Sequence, residues 1–321
     1  MREQRTNLFD KVPCRKMQIA NPLYDVVFKH LMEDFEAAKL LISTILGREI
    51  TVLAPLPQER TLDLEQRSFT VYRLDYAARI QKTDGGFEQV IIEIQKAKFA
   101  ADIMRFRRYL GNQYQRKNNT FVVRMGGEEI KKPLPIVAIY FLGYRLDHMT
   151  APVIKVARQS YDITTGERLF GEEEFIESLT HDAFIIQIPC LRPDRKTDVE
   201  QLLGLFDQRR ATSGDEHILE IDEETYPEKY RALIRLLHRA ASNTRIKDTM
   251  DAEDEILEEF ANLERRIGRR DERIEEQDKA LREKDRTLEE KDKALTEQSR
   301  ALAEERRITE ALRKRFRESQ G

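Results

Sequence analysis

The chain has 321 residues, of which 40% are hydrophobic and 36% charged, and its net charge is −3. That length supports one or two domains with a proper core, and the near-neutral balance excludes a uniformly basic coat but not a local basic patch. Cys14 and Cys190 are far apart, the five histidines lack ligand spacing, and no apolar run approaches about 18 residues, which argues against a disulfide scaffold, a structural zinc and a membrane span.

Residues 1–19 read as an N-terminal extension. They lack the apolar segment of a secretory signal, so a reducing, cytoplasmic location is expected. Asn21-Pro22 reads as a helix start, with Asn as N-cap and Pro at the first helical position. The helix then carries Val27, Leu31, Phe35, Ala38, Leu41, Ile42 and Ile45 on one apolar stripe and stops at Gly47. Asp25 lies in its first turn, where the helix dipole favours a carboxylate whatever its role.

From Phe69 to Ile80 the run FTVYRLDYAARI reads as a strand with Asp75 on its polar face. The turn QKTDGG follows, and Asp84-Gly85 signals a hairpin. The return strand FEQVIIEIQ puts Val90, Ile92 and Ile94 on one face and Glu93 and Gln95 on the other. A two-residue loop would oppose Asp75 to Ile94. A three-residue loop would oppose it to Glu93 or Gln95, with Cβ atoms roughly 5 Å apart. The odd loop is favoured, because it gathers both carboxylates on one side and both apolar rows on the other. Two such carboxylates repel unless a cation or proton lies between them. Mg²⁺ suits the place, since it accepts one or two carboxylates and fills its shell with water and phosphate oxygens. The plain alternative is two solvent-facing strand residues.

A basic amphipathic helix is expected from about Phe99 to Arg116. Between Lys96 and Lys117 there are seven basic residues and one acidic residue. Arg105 and Arg108 share one helix face, as do Tyr109, Asn112 and Arg116. Such a helix, with Lys96 before it, can hold a DNA backbone over a metal site, or can simply be a solvated basic face. Lys96 itself has the opposite strand parity to Gln95.

Pro135 to Tyr144 is a nearly continuous apolar run and reads as a buried central strand. APVIKVARQSYDI and DAFIIQIPCL read as further strands, and helices are expected at about Asp198 to Arg209 and Pro227 to Ser242. The architecture is then α/β, a mixed sheet flanked by helices, over residues 20–248 with a core at about 20–145.

Residues 249–321 read as one long helix. Ile267, Ile274, Leu281, Leu288, Leu295 and Leu302 recur every seven residues. The neighbouring rows are polar: Asp278, Asp285, Asp292 and Ser299 on one side, Gln277, Lys284, Lys291 and Gln298 on the other. A coiled coil joining copies of the chain is expected, and a solvated single helix is the alternative.

The ordered set of Asp25 in NPLYDVVFKHLM, Asp75, Glu93 and Gln95 in ExQ, and Arg105, Tyr109 and Tyr114 in R-x-x-x-Y-x-x-x-x-Y resembles the PD-(D/E)XK nuclease superfamily, in its transposase-like, recombination-promoting branch. The resemblance implies a restriction-endonuclease-like sheet and a metal-dependent endonuclease acting on DNA with Mg²⁺ or Mn²⁺, linked to recombination or mobile elements. It implies that Asp75, Glu93 and the carbonyl of Ile94 bind metal, that Asp25 completes the acidic set, and that Arg105, Tyr109 and Tyr114 face the substrate. Lys96 and Arg108 would lie beside them. One departure stands out: most of the superfamily has Lys where this chain has Gln95. An amide can orient a water but supplies no charge to a phosphate, unless Arg73, Arg79 or Arg105 does so. The second expectation is therefore a nuclease-fold scaffold protein acting through its tail.

Overall fold

The computed structural model describes residues 16–56, 76–83, 85–98, 102–117, 119–125, 128–171 and 173–318, and the backbone alone at 102, 105, 123–125 and 312–318. The fold is mixed α/β, with a mixed sheet flanked by helices and a long C-terminal helix.

The chain enters on β1 (Lys16–Ala20) and passes to α1 (Asp25–Glu33) and α2 (Phe35–Leu46). The single helix expected from Asn21 is therefore two. Asn21 is fully buried and spends its side chain on a turn, accepting from the Leu23 N–H (3.0 Å) and donating to Gln208 Oε1 and the Glu216 carbonyl. The helix waits until Asp25. It breaks at Asp34, whose extended backbone ends α1 and whose carboxylate accepts from the Ala37 N–H to cap α2. Gly47 closes α2 in the left-handed region at φ 66°, as its position after the apolar stripe implied.

β2 (Ile50–Pro55), β3 (Tyr76–Lys82) and β4 (Phe87–Gln95) follow, then α3 (Asp102–Gln115) and a separate hairpin of β5 (Thr120–Met125) and β6 (Glu128–Pro133). Next come β7 (Ile136–Leu142), β8 (Val153–Val156), the two-residue strands β9 (Ser160–Tyr161) and β10 (Arg168–Leu169), α4 (Glu174–Leu179) and β11 (His181–Gln187). The main sheet has six strands in the order β2-β3-β4-β7-β11-β8. β4, β7 and β11 run parallel at its centre, and antiparallel pairs finish both sides. β7 is thus the buried central strand its apolar run predicts.

The β3–β4 hairpin settles the loop parity. Gln81 pairs with Phe87, and the Lys82 N–H donates to the Gly86 carbonyl, so three residues, 83–85, make the turn. Gly85 sits at φ 85°, where a side chain would be strained. Asp75 lies outside the described residues.

α5 (Asp198–Leu203) is shorter than the helix expected there, because 3-10 turns replace it from Gly204 to Arg210. β12 (Ala211–Thr212) and β13 (Asp215–Asp222) join β1 in a small antiparallel sheet, and α6 (Arg231–Ala241) follows. One apolar cluster joins α1, α2, α5, α6, β1, β13 and the even-numbered residues of β4. A second, smaller one sits on the opposite side of β4, where Ile91, Ala77 and Ile136 pack against Tyr109 of α3.

α7 runs from Thr244 to Glu318. Compact packing divides the chain into residues 1–257 and 258–321. The boundary expected at 249 falls inside the helix, because its first turns bury Ile246 and Met250 in the core of the first unit. No helix among the described residues is long and apolar enough to cross a membrane.

Candidate functional site

The two faces of β4 separate its residues by parity, and chemistry collects on both. On the α3 side, Glu93 is 3% exposed and Gln95 4%. Parallel pairing sets Glu93 beside Tyr140 and Gln95 beside Leu142. Burial, followed by the nearby Glu93 carboxylate, pushes the Tyr140 phenol up to about 12, so it stays a neutral donor at physiological pH. Tyr140 also stacks at a tilt on Phe106 of α3, with ring centroids 5.1 Å apart. Tyr144 donates to Gln95 Oε1 at 3.3 Å and fixes which way the amide points. The Gly143 N–H donates to the Gln95 carbonyl at 2.7 Å. A Cβ on Gly143 would fall 2.3 Å from the Lys96 carbonyl oxygen, so glycine lets β4 and β7 close together at their carboxyl ends.

The helix residues divide. Tyr109 is 8% exposed and belongs to the small apolar cluster, a core position and not an open contact surface. Arg108 is exposed on the same helix. Tyr114 is exposed, and its hydroxyl lies 3.2 Å from His181 Nδ1. Arg105 lies on α3, and its side chain is outside the description. Below the helix, the buried amides of Gln89 and Gln113 bond each other at 2.7 Å.

Lys96, expected near the substrate, is placed elsewhere. It follows Gln95 with opposite parity and reaches the α1 side, where its ammonium lies 2.7 Å from Asp254 Oδ1, 3.3 Å from Glu216 Oε2 and 4.0 Å from the centre of the Tyr24 ring. Tyr24 donates to Asp254 Oδ2 at 2.7 Å, and His217 Nε2 meets the same oxygen at 2.9 Å. Burial alone would raise the Asp254 carboxyl, but the bonds from Lys96, Tyr24 and His217 outweigh it and hold the group below its ordinary value. Burial and the Asp254 contact raise the Tyr24 phenol.

Asp25 is also on this side. It opens α1, and Lys29 pairs with it one turn on. The N–H groups of Asp25 and Val26 donate to Glu253 Oε2 and Oε1, at 3.0 and 2.9 Å, so a carboxylate from α7 caps α1. Burial, and then the charge of Asp25, push Glu253 up to about 7. Tyr24, His217, Glu253 and Asp254 carried no local signal in the sequence. Each gains its meaning from partners about 40 to 230 positions away. Tyr140 is the one hydroxyl-bearing residue of an otherwise apolar strand, which marks it as a candidate.

Among the described residues, no group of three or more His, Cys, Asp or Glu is arranged to hold a metal ion. Glu93 and Asp25 are positioned by different elements, and Asp75, the third carboxylate expected, lies outside the described residues. No family model, no curated protein and no solved structure matches the chain.

Proposed function

We propose that this chain is a metal-dependent endonuclease acting on DNA, with a restriction-endonuclease-like core and its reacting centre on the α3 side of β4. The observation that supports this best is Glu93. A carboxylate kept 3% exposed at the centre of a sheet is costly to bury, and it stands two positions before a buried glutamine on the same side. The three-residue hairpin turn adds to it, since it has the odd parity on which the expected gathering of the carboxylates rests.

In this reading Glu93, Asp75 and the Ile94 carbonyl hold Mg²⁺ or Mn²⁺, whose chemistry is to polarise a phosphate oxygen and acidify a water. Gln95, oriented by Tyr144, positions that water. The neutral Tyr140 phenol beside Glu93 donates to a carboxylate or phosphate oxygen. Arg108 and Tyr114 on α3 meet the DNA backbone. A link to recombination or mobile elements belongs to the same proposal. The test is cleavage of supercoiled and linear DNA by the full chain with Mg²⁺ or Mn²⁺, compared with Glu93→Gln and Asp75→Asn. Metal-dependent cleavage that survives both substitutions removes the reading.

A second reading, a nuclease-fold protein that does not cut, is favoured by one observation. The lysine next to Gln95 is committed to Asp254 on the other face, so β4 brings an amide and no ammonium to the α3 side. A correctly folded wild-type chain without cleavage on any DNA form would select it.

A further inference from the structure

The exposed face of α7 beyond residue 258 carries an arrangement that the nuclease reading does not use. Ile267, Ile274, Leu281, Leu288, Leu295 and Leu302 are each about half exposed and spaced by seven. At about 100° per residue, the position three before or four after each of them lies roughly 50° to one side, and the position three after or four before lies roughly 50° to the other. The first flank reads Asp271, Asp278, Asp285, Asp292, Ser299, Arg306. The second reads Arg270, Gln277, Lys284, Lys291, Gln298, Glu305. All of these side chains are exposed.

The occupant of this face follows from symmetry. Two parallel copies related by a twofold axis along the helices put the first flank of one against the second flank of the other, on both sides of the apolar row. Two antiparallel copies put each flank against itself. In the parallel, in-register case every layer is compatible: Asp271 with Arg270, Asp278 with Gln277, Asp285 with Lys284, Asp292 with Lys291 and Ser299 with Gln298 of the second copy. At the last layer the two signs reverse together, so that Arg306 meets Glu305. With the apolar rows fully overlapped, the antiparallel case sets Asp278 against Asp292 and Asp285 and Lys284 each against its own copy, which costs free energy, and leaves Asp271 opposite Ser299, Arg270 opposite Gln298 and Lys291 opposite Gln277 with no opposite charge. The seven-residue repeat also matches the period of a left-handed supercoil.

We propose that the face of α7 between Ile267 and Arg306 binds the same face of a second copy of this chain, parallel and in register, with the Ile/Leu row at the seam and the aspartate row against the partner's lysine row. This stands independently of any nuclease activity.

The experiment uses the full chain. Sedimentation equilibrium of the wild type should give a dimer. Lys284→Asp with Lys291→Asp turns four attractive contacts repulsive and should raise the dissociation constant about tenfold or more at low salt. Adding Asp285→Lys and Asp292→Lys restores complementarity in the parallel arrangement and should bring the constant back to within about threefold. In an antiparallel pair the first set would matter little, because position 284 would still face its own copy and position 291 the uncharged Gln277. Ile274→Cys and Leu295→Cys, each alone in a Cys14→Ser, Cys190→Ser background, should form disulfide-linked dimers on mild oxidation. A monomeric wild type at high concentration, an unchanged constant in the double variant, or cross-linking only when the 274 and 295 variants are mixed would each overturn the proposal.

Discussion

The two faces of β4 handle charge in opposite ways. On the α1 side, Lys96 meets Asp254, Tyr24 and Glu216, and His217 completes the group, so four segments of the chain are tied by charges that satisfy one another. On the α3 side, Glu93 is 3% exposed beside Tyr140, and Gln95 is 4% exposed and accepts from Tyr144, so a carboxylate is taken out of water at a desolvation cost. The comparison separates two kinds of buried polar residue. Those of the first face hold α7 and α1 to the sheet, and their loss should register as lost stability. Glu93 carries the desolvation cost of a carboxylate that is 3% exposed, and in the proposed reading its loss should register above all in chemistry.

The largest expected effect follows directly. Glu93→Ala should lower metal-dependent DNA cleavage by about 10³-fold or more, equivalent to about 4 kcal/mol of barrier. Its melting temperature should stay within a few degrees of the wild type, because the desolvation cost that is relieved offsets contacts that are lost. Single-turnover cleavage and thermal unfolding of the same preparation check both halves. A marked fall in melting temperature with intact cleavage would exchange the roles of the two faces.

Most of the main sheet could be read from the chain because its signals are local. The period of two in FEQVIIEIQ, the apolar run before Tyr144, the glycine of the β3–β4 turn and the heptads of α7 each depend on neighbours within a few residues. The odd hairpin loop follows from which rows are apolar, and the Gln81–Phe87 pairing has that parity. The division of the first helix was legible but outweighed. Asp34 is a capping residue three before Ala37, yet the apolar stripe runs through it unbroken. The Lys96 group was not legible at all, since only the tertiary fold brings Tyr24, His217 and Asp254 to the end of β4. That Lys96 points away from Gln95 follows from strand parity, which prevails over its place in a basic stretch.

Next in size is the loss of the α1-side group. Asp254→Ala removes the acceptor for Lys96, Tyr24 and His217 together and leaves a largely buried ammonium with the exposed Glu216 and the Tyr24 side chain. About 3 kcal/mol of stability should go, measured as a shift in the urea midpoint with an unchanged slope. Cleavage measured well below the melting temperature should remain.

A smaller effect is tied to pH. Glu253 is raised from its ordinary range to about 7 in the folded chain. A group raised on folding contributes stability that is full below its unfolded value and fades as pH climbs through the folded one. Unfolding free energy should therefore decline between about pH 4.5 and pH 7, by on the order of 2 kcal/mol from this group. Glu253→Gln should flatten that slope. A slope that survives the substitution would place the titration elsewhere.

The smallest effect sharpens the α3 side. Tyr109 and Tyr114 share a helix, but Tyr109 lies in the apolar cluster and Tyr114 is 37% exposed, with its hydroxyl on His181. Burial lowers the His181 imidazole, which is then neutral at physiological pH and can accept the Tyr114 proton bond. Tyr114→Phe deletes one half-solvated hydrogen bond and should cost about 0.5–1 kcal/mol in urea unfolding. If Tyr114 faces DNA, the same variant weakens DNA binding in a salt-dependent titration, while the exposed surface around it keeps its charge. A change confined to stability would assign Tyr114 to the scaffold with Tyr109 and leave Arg108 as the described α3 side chain that meets the backbone.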